Sequence, residues 1–216
     1  AQGVKLANRD LTVIAAGGDG DGYGIGLGHF IHAMRRNIDI TYIVMDNHIY
    51  GLTTGQFSPT SDRGTKSKTS PEGSIDRPIR PLELALAAHC GFVAQGFSGN
   101  QKQLAALIKE AITFPGFALV NVFSPCVTYN KVNGYDFFRE HVVMLPEDGS
   151  YDPHNREQAF VTVHSNPLVT GVIYREETPD ATAADLLPGY AEHGLATVDL
   201  TLSAEEKEIL LSGFTA

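Results

Sequence analysis

The feature that most constrains this chain is a glycine-dense segment, residues 17–28 (GGDGDGYGIGLG), set between an apolar run and an amphipathic one. Glycine at that density weakens helix and strand interiors, so the segment predicts a turn where backbone must approach something closely. The run before it, residues 11–16 (LTVIAA), is short, continuous and apolar, as a buried parallel strand is. After it, Leu27, Phe30, Ile31 and Met34 recur at helical spacing. That helix closes on Arg35 and Arg36, cations that suit its negative end. Residues 40–45 (ITYIVM) predict a second buried strand. Strand, glycine turn, helix, strand is how a parallel α/β unit begins.

The alternation continues. Residues 56–81 predict a long loop holding Pro59, Pro71, Pro78 and Pro81, with Arg63, Lys66, Lys68, Arg77 and Arg80. Loops of that length inside a compact domain are usually functional or disordered. By default the basic part, residues 63–80, is a solvated face; coenzyme A phosphates or a partner are its functional reading. Pro81 opens a helix through Leu82, Leu84, Ala85, Leu86 and Ala88. A short strand at 92–94, a helix marked by Leu104, Ala105, Leu107, Ile108 and Ile112, and a strand at 117–123 (FALVNVF) follow. The expected fold class is α/β, a doubly wound, mostly parallel sheet over residues 1–125. Residues 126–216 predict a less regular extension that wraps the core or a partner subunit, with Pro146, Pro153, Pro167, Pro179 and Pro188 dispersed through it. Within it, Ser203 and Glu206 have capping-box spacing ahead of Ile209, Leu210 and Leu211, so a short final helix is expected.

Composition narrows the function classes. The 16 Lys and Arg stand against 25 Asp and Glu, a formal charge of −9, so the basic footprint of a nucleic-acid binder is absent. No apolar run approaches the roughly 18 residues of a membrane helix. The only cysteines are Cys90 and Cys126, too few for a disulfide framework, so reducing cytoplasm is the default compartment. The chain opens without Met and reaches its first apolar run within about ten residues. Preceding residues are therefore expected. Cys90, at the end of an apolar helix, reads as core. His29 and His32 sit one helical turn apart, but lack a third ligand.

Chemistry concentrates at two strand ends. Asp19, in Gly18-Asp19-Gly20-Asp21-Gly22, follows the first strand; Asn47, in Asp46-Asn47-His48-Ile49-Tyr50-Gly51, follows the second. Parallel neighbours would bring both to the carboxyl edge of the sheet, where open α/β sheets bind ligands. A carboxylate and an amide oxygen are hard donors for Mg²⁺ or Ca²⁺, and Mg²⁺ completes its shell with phosphate oxygens and water. The glycines permit close approach, and the following helix offers unpaired N–H groups to an anion. The pattern predicts a metal–diphosphate site. A nicotinamide fold is the nearest rival, but no G-x-G-x-x-G/A occurs here.

The same strings carry a resemblance. Gly18-Asp19-Gly20 followed at a gap in the mid-twenties by Asn47 resembles the motif of thiamine-diphosphate enzymes. GDGDGYGIGLGHFIHAMRRN, DNHIYGLTTGQFSPTS and SPCVTYN resemble the β subunit of 2-oxoacid:ferredoxin oxidoreductases, particularly the 2-oxoglutarate type, over about residues 11–175. The resemblance implies a thiamine-diphosphate-binding fold and a subunit of a coenzyme A-dependent, oxidative 2-oxoacid decarboxylase. It implies that Asp19, Asn47 and the carbonyl of Ile49 hold Mg²⁺. It also implies that Gly18, Gly20, Asp21, Gly51, Leu52 and Thr53 contact the cofactor. An α subunit would carry the pyrimidine-binding domain and its Glu, in a heterodimer or a dimer of heterodimers, with ferredoxin as electron acceptor. Cys126 would be one ligand of a [4Fe–4S] cluster whose other cysteines this sequence lacks. A single cysteine cannot hold such a cluster. Thr54 stands where several 2-oxoglutarate-type relatives carry a Lys that can meet a substrate carboxylate. The alternatives are a non-redox thiamine-diphosphate decarboxylase or synthase subunit, and a non-catalytic nucleotide- or metal-binding regulatory subunit.

Overall fold

Each interior strand alternates the faces it presents, and that alternation builds two separate cores. In the computed structural model, β2 (Thr41–Asp46), β3 (Phe92–Phe97) and β4 (Ala118–Phe123) are parallel neighbours. Val44, Val93 and Leu119 face one side with Phe30, Ala33 and Met34 of α2 (Leu27–Arg35) and with Leu82, Ala85 and Leu86 of α3 (Pro81–Ala87). Phe92, Ala94, Ala118 and Val120 face the other side, against Leu107 and Ala111 of α4 (Gln101–Thr113). Helices on both faces of a parallel sheet make the layer doubly wound, as expected. The structure describes residues 1–146, 148–187, 195–196, 199 and 201–214.

With β1 (Ile14–Gly18), β5 (Val143–Met144) and β6 (Val169–Arg175), the described strands form one sheet, ordered β1-β2-β4-β3-β6-β5. The expectation for residues 11–16 is corrected in two ways. The strand is β1 (Ile14–Gly18), shifted toward the glycines, and it is an edge strand rather than a buried one. It pairs parallel with β2 only, so Ile14 remains 48% exposed. An apolar run cannot by itself report how many neighbours its strand will have. Ahead of β1, α1 (Gln2–Ala7), which the sequence pattern does not foreshadow, carries Lys5. The Lys5 ammonium is buried on Asp39 at 2.6 Å and donates to the carbonyls of Arg9 and Leu11.

The region after Ser124 is more regular than expected. It contains α5 (Tyr135–His141), the two-residue β5 (Val143–Met144), α6 (Arg156–Ser165) and β6 (Val169–Arg175). β6 joins the main sheet antiparallel to β3, and α6 packs Ala159 and Val163 onto the α3 side. β6 reads VTGVIYR, an apolar stretch with Gly171 at φ +139°, close to where the register against β3 shifts. That glycine disguises a strand as a loop. A short α7 (Ala183–Leu186) and the expected final helix, α8 (Ala204–Ser212), complete the described elements. The Ser203–Glu206 capping box is formed. Pro188, expected among the dispersed prolines of the extension, lies outside the described residues.

One helix cap gives a stability prediction. The Asn155 side chain accepts the Gln158 N–H at 2.9 Å at the start of α6. Asn155→Ala is expected to cost about 1 kcal/mol. A lowered denaturation midpoint with an unchanged slope checks it; an unchanged midpoint contradicts it.

Candidate functional site

The parallel register places Gly18 beside Met45, so the chain leaves β1 and β2 at the same edge. Asp19 and Asn47 are thereby brought together: the Asn47 N–H points to Asp19 Oδ1 at 3.4 Å. The glycine segment turns through a π-helical stretch, Asp21–Ile25, into α2. Its glycines are needed for space. A Cβ on Gly20 would meet the Tyr50 ring at 2.3 Å, and one on Gly26 the Asp21 carbonyl at 2.4 Å. Tyr50 closes over this turn and donates its hydroxyl to Gly20 O at 2.8 Å. Asp21 is exposed and turns back to accept the Gly18 N–H at 2.6 Å, so it braces the turn instead of converging on Asp19.

Asp19 is 1% exposed, and among the described residues no cationic side chain pairs with it. Its Oδ2 accepts from the buried Thr60 hydroxyl at 2.7 Å. Thr60 also lies 2.8 Å from Oδ1 of Asp46, a second buried carboxyl. A hydroxyl has one proton and can satisfy only one of these carboxylates as donor. Burial raises the Asp46 pKa; His48, 3.6 Å away, opposes that rise and the nearby Asp19 charge adds to it. Asp46 is held further by Asn121 Nδ2 at 3.3 Å, and Asn121 accepts from the Tyr23 hydroxyl at 2.8 Å. This polar line runs across the core face of the sheet beneath the glycine turn.

Asn47 Oδ1 accepts the Ile49 N–H at 3.0 Å, a tight turn that sets the backbone of 47–49. Ser61 donates to the His48 carbonyl at 2.6 Å and Asn130 to the Asn47 carbonyl at 3.0 Å. Among the described residues the next carbonyl, that of Ile49, accepts no hydrogen bond. His48 takes φ +60°, with its ring near Phe123 and Phe138. A buried carboxylate without a cation, an amide oxygen and a free carbonyl make a hard-oxygen donor set that suits Mg²⁺. A glycine turn with no room for side chains suits the approach of a diphosphate. The residues present therefore fit both groups.

Residues 52–54 lie at the surface. Leu52 is 98% exposed, and Thr53 and Thr54 are exposed too. Thr54 takes φ +75°, an unusual state for a β-branched residue. Cys126 is partly buried and unpaired. Burial acts to raise its pKa, but the N–H groups of Tyr129, Asn130 and Thr128 and the charge of Lys131 outweigh it, for a net lowering. The Tyr129 N–H lies 3.4 Å from Sγ. Cys90 is its opposite: wholly buried, with a pKa pushed up to about 12 by burial, it is the core thiol expected. Among the described residues no three His, Cys, Asp or Glu side chains converge on one point, and His29 and His32 gather no third ligand.

Sequence reasoning passes over Asp46, Thr60, Tyr50 and Asn130. Asp46 carries a signal, a carboxylate closing an apolar strand one residue before Asn47. Thr60 and Asn130 stand inside the strings SPTS and SPCVTYN, but only the folded chain shows what they touch.

A glycine turn beside a buried carboxylate and an amide, at the carboxyl edge of a parallel sheet, is the arrangement of a ligand-binding α/β domain. Residues 1–122 match the family model described as the thiamine pyrophosphate enzyme C-terminal TPP binding domain. Residues 126–192 match the model for the C terminal of the pyruvate ferredoxin oxidoreductase beta subunit. A 2-oxoacid:ferredoxin oxidoreductase subunit beta of Saccharolobus solfataricus is 47% identical over 71% of this chain and 50% of its own length. The subunit beta of 2-oxoacid:ferredoxin oxidoreductase 2 of Aeropyrum pernix is 36% identical over 95% of this chain and 71% of its own. A solved 2-oxoglutarate:ferredoxin oxidoreductase of Magnetococcus marinus superposes with a TM-score of 0.81 at 42% identity, covering 86% of this chain and 63% of that one. The chain belongs to the 2-oxoacid:ferredoxin oxidoreductase beta-subunit family. It spans about half the length of several of the curated relatives it matches. Among the described residues no helix is long and apolar enough to cross a membrane.

Proposed function

We propose that the chain is the cofactor-holding β subunit of a cytoplasmic enzyme that oxidatively decarboxylates a 2-oxoacid. Coenzyme A would accept the acyl group and ferredoxin the electrons, and a [4Fe–4S] cluster held in part by Cys126 would supply one-electron transfer between them. The observation that carries this reading is Asp19, a buried carboxylate with no cationic side chain, set beside Asn47 at the sheet edge. Thiamine diphosphate, when bound, supplies the carbanion-stabilising chemistry. The Asp19 carboxylate, the Asn47 amide oxygen and the Ile49 carbonyl are the Mg²⁺ ligands in this reading. Gly18, Gly20, Asp21, Gly51, Leu52 and Thr53 border the cofactor. Thr60 holds one oxygen of Asp19, leaving the other to the metal. Tyr50 keeps the glycine turn closed. Cys126, biased toward thiolate, is one cluster ligand; the remaining three come from outside these 216 residues. An α subunit brings the pyrimidine-binding half of the site, in a heterodimer or a dimer of heterodimers.

2-Oxoglutarate is the preferred substrate in this reading. Support comes from the string YGLT-x-GQ-x-SPTS and from the Magnetococcus marinus enzyme, described with 2-oxoglutarate, coenzyme A and succinyl-CoA bound. The test is calorimetry of thiamine diphosphate on the assembled α–β complex, with and without Mg²⁺, followed by ferredoxin reduction with 2-oxoglutarate and coenzyme A. Mg²⁺-dependent binding and turnover are expected; a complex that binds no thiamine diphosphate overturns the reading.

Position 54 tests substrate class. A dicarboxylic 2-oxoacid has a remote carboxylate that needs a cationic or strong hydrogen-bond partner. Thr54 has no charge. Thr54→Lys is expected to raise the preference for 2-oxoglutarate over pyruvate in kcat/KM by about tenfold, since a charge-assisted bond contributes roughly 1.5–3 kcal/mol. Lys also lacks the β-branch that φ +75° penalises. A flat ratio would show that position 54 does not face the substrate tail, and would leave the metal site untouched.

A further inference from the structure

We propose that Asn130 is a positioning residue that ties the loop of the metal ligands to the loop of Cys126, so that filling the metal–diphosphate site stiffens residues 126–133. The proposal rests on the cofactor assignment above.

Asn130 is 6% exposed and uses both ends of its amide. Its Oδ1 accepts the N–H groups of Val132 and Asn133, each at 3.0 Å, and so folds its own loop into a turn. Its Nδ2 crosses to the other loop and donates to the Asn47 carbonyl at 3.0 Å. Its neighbour Tyr129 turns its N–H to the Cys126 sulfur at 3.4 Å, so this one turn touches both the peptide that follows Asn47 and the thiol. A second tie runs alongside. Asn133 Nδ2 donates to Asp62 at 3.1 Å, next to Ser61, whose hydroxyl grips the His48 carbonyl. The loops are also in contact. A Cβ on Gly51 would lie 3.9 Å from Cys126 Sγ, and one on Gly55 3.6 Å from the Tyr129 Cβ.

The chemistry explains why this residue is Asn. The position needs a donor and an acceptor on one short, planar group, and Asp supplies only the acceptor. With the Asn47 and His48 carbonyls both held, the Ile49 carbonyl is the one left for a metal. Drawing Asn47 and Ile49 onto a cation tightens the peptide that Asn130 grips. By linkage, whatever orders one loop favours order in the other.

Hydrogen–deuterium exchange of residues 126–133, measured in the assembled complex with and without Mg²⁺ and thiamine diphosphate, tests the link. In the wild type, exchange is expected to slow by about fivefold on loading. Asn130→Asp keeps the acceptor for Val132 and Asn133 but sets an oxygen against the Asn47 carbonyl. Asn130→Ser is too short to reach that carbonyl. Both variants are expected to bind thiamine diphosphate about tenfold more weakly, the loss of one buried hydrogen bond. When saturated, neither is expected to slow exchange at 126–133. Melting curves establish that at least one variant is folded. Wild-type complex that binds the cofactor with unchanged exchange at 126–133 overturns the link. So does a folded variant that binds and slows as the wild type does. A wild-type complex that binds no thiamine diphosphate, a result calorimetry alone reveals, overturns the functional reading and the link with it.

Discussion

Asp19→Asn is expected to abolish Mg²⁺-dependent thiamine diphosphate binding by the assembled complex. The substitution keeps the shape of the side chain and an oxygen, and removes the one charge that the proposed ligand set brings to the metal. Disturbing groups that merely support a metal ligand already costs about 10–100-fold in metal affinity. Loss of the charged ligand itself is expected to exceed about a hundredfold. A second readout separates this from simple misfolding. Asp19 is a buried carboxylate whose neighbours are a hydroxyl, an N–H at 3.4 Å and another carboxyl. Neutralising it relieves a desolvation cost, so the melting temperature of the cofactor-free variant is expected to hold or rise. Calorimetry of thiamine diphosphate in the presence of Mg²⁺ decides the matter. Affinity close to wild type would remove Asp19 from the site, however well it is placed.

Cys126→Ala is expected to cost the cluster and spare the thiamine site. The sulfur sits where three backbone N–H groups and Lys131 favour a thiolate, the form that ligates iron. Alanine removes the ligand and leaves Asn130 and its bond to the Asn47 carbonyl in place. Iron content of the variant complex is expected to fall to a small fraction of wild type, and ferredoxin reduction to background. Thiamine diphosphate affinity is expected to change by less than about threefold, because the proposed metal ligands are oxygens on other loops. Full iron occupancy would make Cys126 an ordinary half-buried thiol. Colour separates the wider alternatives on the wild-type complex: a brown protein is the redox enzyme, and a colourless one that binds thiamine diphosphate is a non-redox decarboxylase.

The juxtaposition of Asp19 and Asn47 is legible in the sequence because it obeys a local rule. Asp19 and Asn47 each follow an apolar run, and in a parallel layer such ends meet at one edge. The core helices are legible for a similar reason, since the 3.6-residue recurrence of Leu27, Phe30, Ile31 and Met34 is carried by neighbours along the chain. The burial of Cys90 follows from its place just after such a helix. What fails are inferences that need non-local knowledge. The run at 11–16 reads as buried, yet its strand lies at the sheet edge with Ile14 exposed. The glycine in β6 hides a strand whose partner, β3, lies some eighty residues earlier in the chain.

By itself, then, the sequence determined the alternation of strands and helices, the glycine turn, and that Asp19 and Asn47 would stand at one sheet edge. Those features depend on periodicity and on the end of a strand, and each is written within a few consecutive residues. Tertiary structure alone decided the strand order and the antiparallel addition of β6. It also decided that Thr60 bridges Asp19 and Asp46, and that Asn130 reaches the Asn47 carbonyl. Thr60 lies 41 residues from Asp19, and Asn130 lies 83 from Asn47. Such contacts form only when separate loops are packed against one sheet edge, where a buried donor must find an acceptor or bear the cost of desolvation.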